Sequence, residues 1–165
     1  MVVADMEWNL LGCNVLADLC CIVSLDRSSP TLTVRQPASV AWDRALPTAT
    51  ITLAGHALQV IPDTGTSAFL LCDLVEVVDA PLDIQDVPDD LCVTTTNGPQ
   101  KVMFKAVGAP VRLSGRERRG TVFLCETQRA LVGMELLLGA VLRFGADGSF
   151  DLHVPRESLD PQRQH

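Results

Sequence analysis

The chain has 165 residues, a formal net charge of −7 and 47% hydrophobic side chains, the length of one ordinary domain with enough apolar material for a core. That acidity argues against a nucleic-acid surface, and no apolar stretch reaches the roughly 20 residues that a membrane-spanning helix needs. Six cysteines without a CxxC spacing, most of them inside apolar strings, read as buried thiols of a reducing, cytoplasmic compartment rather than as disulfides or a zinc site.

Residues 7–34 (EWNLLGCNVLADLCCIVSLDRSSPTLTV) carry two apolar residues and a glycine, Leu10-Leu11-Gly12. They continue as a short amphipathic helix, an apolar strand, a turn with Asp and a last alternating strand. The first fifteen residues carry no Lys or Arg, so no secretory leader is expected. Residues 37–47, with Pro37, Ser39 and Pro47, read as a linker. Strands are expected at Ala49 to Ala54 and Ala57 to Ile61, and a loose helix over Ala68 to Val78. Further strands follow at Leu91 to Thr96, Lys101 to Val107, Pro110 to Leu113 and Gly120 to Cys125, with turns at Asn97-Gly98 and Ser114-Gly115. Arg112, Arg116, Arg118 and Arg119 flank the second turn and read as a solvated hairpin tip. A brief helix is expected over Gly133 to Leu138, and residues 156–165 form a polar tail.

Residues 128–154 (QRALVGMELLLGAVLRFGADGSFDLHV) repeat the plan of residues 7–34. Leu10-Leu11-Gly12 lies over Leu131-Val132-Gly133, and Cys20 to Leu25 over Gly139 to Phe144, with a two-residue gap in the helix.

The chemistry concentrates in Asp63-Thr64-Gly65, set between two apolar runs and followed by Thr66 and Ser67. A carboxylate there is either a turn residue bonding its own backbone or a buried acid held by partners, because an unpaired buried charge is prohibitively costly. His56, His153 and His165 are scattered without ligand spacing, so no metal site is expected. Ser67 lacks the GxSxG setting of a serine hydrolase.

Taken in order, the paired strands, Asp63-Thr64-Gly65, the hairpin VTTTNGPQKVMF, the hairpin APVRLSGRERRGTVFLCE and the segment ALVGMELL resemble the retropepsins, the small dimeric aspartic proteases of retroviruses, retrotransposons and their cellular relatives. The resemblance covers Thr48 to Val154 and implies a mainly β chain: a closed barrel with one short C-terminal helix, acting as a homodimer. It implies an aspartic endopeptidase in which Asp63 and the Asp63 of a second chain activate a water, with no cofactor. Thr64 would brace the two loops, and Gly65 would let backbone approach the water. Thr66, Thr96, Asn97 and Gly98 would bind the substrate, a peptide or polyprotein, under a closing flap. No nucleic acid or membrane partner is implied. Residues 48–155 would form the protease domain, and residues 1–36 resemble the last part of another such unit. Pro62 departs from the family pattern, since a proline cannot donate to a sheet ladder. The alternative reading is a retropepsin-like dimerisation or binding module whose catalysis has faded.

Overall fold

The computed structural model of the chain describes Leu16 and residues 21–26, 28–34, 46–95, 98–147 and 149–155. Thr96, Asn97, the tail 156–165, and the expected linker apart from Leu46 and Pro47 lie outside them. The described strands are β1 (Cys21–Ser24), β2 (Thr31–Val34), β3 (Ala49–Leu53), β4 (His56–Pro62), β5 (Leu70–Cys72), β6 (Ile84–Asp86), β7 (Cys92–Thr95), β8 (Gly98–Lys101), β9 (Phe104–Leu113), β10 (Arg116–Leu124), β11 (Ala130–Val132), β12 (Val141–Phe144) and β13 (Phe150–His153). One short helix, α1 (Met134–Leu137), follows β11.

Alternation builds the outer strands. Ile51 and Leu53 of β3 and Leu58 and Val60 of β4 point inward from an antiparallel hairpin, as the two-residue side-chain period of a strand requires. Strands β5 and β11 instead carry continuous apolar runs, LLC and ALV, which suits strands covered on both faces. Six strands run in the order β10, β5, β11, β4, β3, β9, and pairing of β9 with β10 closes the ring, with β6 added on β9. Among the described residues the expected mainly β chain, a closed barrel with a short helix near its C-terminal end, is what the structure has.

The expected loose helix over residues 68–78 is corrected. Residues 70–72 are a strand, and only Val75–Val77 turn, as a 3-10 helix. Leu70 to Cys72 lie between two strands, parallel to β10 and antiparallel to β11. The ladder bonds gained on both sides outweigh a weak local helical preference.

A second sheet, in the order β13, β12, β1, β2, lies against the barrel. Leu142, Phe144, Leu152 and Val154 join Leu136 and Leu137 of α1 in one core cluster with the barrel residues Ile51, Val60, Leu70 and Val111. Each such buried side chain contributes about 1.5–3 kcal/mol relative to leaving it in water. The turns of the two hairpins use the same device: Asp26 accepts from the amide and hydroxyl of Ser28, and Asp147 from the amide and hydroxyl of Ser149. Asp26 and Asp147 are each held below the usual carboxylate range by these bonds, first by the serine hydroxyl and then by the amides.

Candidate active site

Strand β11 lies between β4 and β5, parallel to the first and antiparallel to the second. The chain leaves β4 at Pro62 and must cross the end of β11 before returning in β5, so residues 63–69 form a loop over Val132 and Gly133. Three backbone bonds fasten it: Asp63 N–H to the Val132 carbonyl at 2.8 Å, Met134 N–H to the Thr66 carbonyl at 2.7 Å, and Gly133 N–H to the Phe69 carbonyl at 3.4 Å. Pro62 ends β4 opposite Val132, and the amide of the next residue, Asp63, carries the ladder on.

Gly133 lies directly beneath this loop. A Cβ there would stand 2.1 Å from the Ala68 carbonyl oxygen and 2.6 Å from that of Thr66. Its φ of −93° is ordinary, so lack of space, not backbone conformation, demands the glycine. Beside it, the Phe69 ring occupies the room left by Gly120, where a Cβ would come within 2.4 Å of the ring, at an irregularity in the β9–β10 ladder.

Within the loop, Asp63 is only 9% exposed. Its Oδ1 accepts the Gly65 N–H at 2.9 Å and its Oδ2 the Thr66 hydroxyl at 2.7 Å. Thr66 is fully buried, Gly65 half-buried, and Thr64 and Ser67 exposed. The sequence suggested either a turn carboxylate or a buried one held by partners, and the structure combines them: an Asx turn whose carboxylate is buried. The two bonds fix the plane of the carboxylate, and the Thr66 side chain serves Asp63 from below. Asp63, Thr64, Gly65 and Thr66 are thus brought together on one loop.

The candidate flap is a separate two-stranded sheet of β7 and β8, paired through Thr95 and Gly98. The Thr95 hydroxyl donates to the Gly98 carbonyl at 2.9 Å. At the foot of this hairpin Val93 and Val102 pack with Ala68, Leu71 and Cys125. The hairpin therefore shares one apolar cluster with the end of the Asp63 loop, while Thr96 and Asn97 lie outside the described residues.

Other chemistries find less support. Cys72 and Cys125 are buried free thiols and Cys21 is also buried, whereas Cys92 is exposed, against the expectation of burial. Burial, with the Asp73 charge behind it, pushes the Cys125 thiol up to about 11. Cys72 is raised further by burial and then by the charge of Glu76, so neither is a thiolate nucleophile near neutral pH. His153 meets Asp151 at 3.0 Å on β13, and His56 is exposed. Among the described residues no cluster of three or more His, Cys, Asp or Glu could hold a metal, and no helix is long and apolar enough to cross a membrane.

Sequence reasoning missed Arg118. Its Nη1 donates at 2.8 Å to the carbonyls of both Leu136 and Leu138, the end of the helix that Gly133 begins. Arg112 and Arg119, by contrast, stay at the surface, within 3.9 Å and 3.5 Å of Glu117. Arg118 shares the parity of the buried Val122 and Leu124 on β10, but nothing in the strand itself marks the distant helix end that it bonds.

No protein-family model matches the sequence, and no curated protein does. Among solved structures, the chain is similar to the EIAV protease complexed with the inhibitor HBY-793, with a TM-score of 0.47 and 14% identity over 59% of this chain and 91% of that one.

Proposed function

We propose that this chain is a retropepsin-like aspartic endopeptidase whose working unit joins Asp63 to the Asp63 of a second copy. The observation that carries the reading is the Asp63 carboxylate, 9% exposed, with donors to both oxygens, on a loop clasped over Gly133. A surface turn needs neither the burial nor the clasp. A catalytic carboxylate needs both, because its direction must be fixed and bulk water kept away.

Two such carboxylates a few ångströms apart cannot both ionise, so they share one proton. The ionised one takes a proton from a water whose oxygen attacks the peptide carbonyl carbon. The protonated one gives its proton to the carbonyl oxygen. Return of a proton to the amide nitrogen then breaks the C–N bond and frees the amine. One chain offers one Asp-Thr-Gly, and a twofold-related copy would supply the second. The exposed position of Thr64 supports a role for its hydroxyl between the loops, and the hairpin of β7 and β8 would close over an extended peptide.

The test is cleavage of a random peptide library across acidic to neutral pH, by the wild type and by Asp63→Asn. Asparagine keeps the shape but passes no proton, so cleavage should fall at least ~10²–10⁴-fold, the range that acid–base groups contribute, with folding retained. An Asp63→Asn chain that cleaves as fast as wild type would refute the assignment. A wild type that binds peptides without cutting them would favour the faded binding module.

A further inference from the structure

The two sequence repeats meet in the second sheet. Their alignment lays Cys20 to Leu25 over Gly139 to Phe144, which puts Val23 on Leu142. In the structure Val23 and Leu142 are directly opposite each other on antiparallel β1 and β12. The flanking pairs, Ile22 with Arg143 and Ser24 with Val141, exchange under the same alignment. A strand that pairs antiparallel with its own repeat, centred on one equivalent pair, has a local twofold axis at that pair.

The axis relates two hairpins in unequal surroundings. Leu32 stands opposite Val23, and Leu152 opposite Leu142, so the row Leu152, Leu142, Val23, Leu32 crosses all four strands on one face. Leu152 is 8% exposed and Leu32 48%. One step along, Val154 is 7% exposed and its counterpart Val34 51%. The barrel covers the C-terminal hairpin, and among the described residues no second barrel covers the N-terminal one.

We infer that the β12 edge is the surface by which one copy of this chain recognises the β12 of another, and that the hairpin of β1 and β2 is a built-in competitor occupying it within the single chain. In the exchanged pair Leu142 meets Leu142 of the other copy and Val141 meets its Arg143, so no like charges oppose. The second barrel then lies where Leu32 and Val34 are now uncovered. That this pairing also unites two Asp63 carboxylates rests on the function proposed above. A tethered competitor acts at an effective concentration of about millimolar, so the closed single chain prevails until β1 is released.

The experiment uses the full chain carrying Ile22→Cys and Arg143→Cys, an opposed pair across β1 and β12, with the exposed Cys92 changed to serine. Sedimentation is run with the new disulfide closed and then reduced, over a wide concentration range, with peptide cleavage measured on the same samples. The closed form should stay monomeric throughout, and the reduced form should dimerise only as its concentration approaches that of the tethered competitor, about millimolar. Val23→Asp, which weakens β1 while sparing β12, should lower the concentration of half-dimerisation at least about tenfold. Dimerisation unaffected by the disulfide, or a monomer that neither reduction nor Val23→Asp pairs, would overturn the inference. A reduced dimer that cuts no peptide would sink the protease reading and leave the inference standing.

Discussion

Replacing Gly133 by alanine probes the clasp on the Asp63 loop. The added methyl would stand 2.1 Å from the Ala68 oxygen and 2.6 Å from the Thr66 oxygen, against the roughly 3.5 Å of a comfortable non-bonded contact. Both obstacles are backbone atoms, so the whole loop must lift by about 1 Å or more to restore contact distance. Overpacking of this kind costs about 1–3 kcal/mol. The lift also weakens the bonds from Met134 to Thr66 and from Asp63 to Val132, each with a net value of about 1 kcal/mol. The expected total is ~3–5 kcal/mol out of a typical ~5–15. Thermal unfolding followed by circular dichroism should show a midpoint lower by roughly 6–20 °C. In an open turn at φ −93° the same change would be neutral or stabilising by up to ~1 kcal/mol, through the entropy of the unfolded chain. A midpoint unchanged or raised would therefore refute the clasp.

Arg118→Met keeps the length of the side chain but removes two charge-assisted bonds to the end of α1; urea unfolding should show a loss of about 2 kcal/mol, whereas Arg112→Met, at the surface, should change little. Iodoacetamide on the native chain at pH 8, read by peptide mapping, should label Cys92 and spare Cys72 and Cys125; labelling of Cys125 at the rate of Cys92 would contradict its burial and raised pKa. The raised thiols also set a sign for stability: the folded state holds the proton more tightly, so the contribution is complete at neutral pH. It is lost as pH rises from about 9, where an unfolded thiol ionises, toward about 11.

Local chemistry was legible where the chain states it locally. Asp63-Thr64-Gly65 with Thr66 marks its own loop, and the alternation of β3 and β4 is visible in ATITL and HALQVIP. Leu70 to Cys72 misled because an apolar run without alternation fits a buried strand and a buried helix equally, and strands brought from β10 and β11 decide between them. The repeat was readable, but its self-pairing was not, since Val23 and Leu142 meet only through the assembled barrel. Arg118 looked like its solvated neighbours because its acceptors lie 18 and 20 residues away.

The insertion of β11 between β4 and β5 has a consequence for how the chain is made. Val60 and Ala130 become neighbours although about seventy residues separate them, and closing so long a loop is a slow, entropically opposed event. On the ribosome, the Asp63 loop emerges long before Val132, Gly133 and Met134, which fasten it. A nascent chain therefore carries the aspartate without its clasp, and the carboxylate is locked in place only when the last strand of the barrel slides in. Translation order itself keeps the clasped geometry from existing until the rest of the barrel has been made.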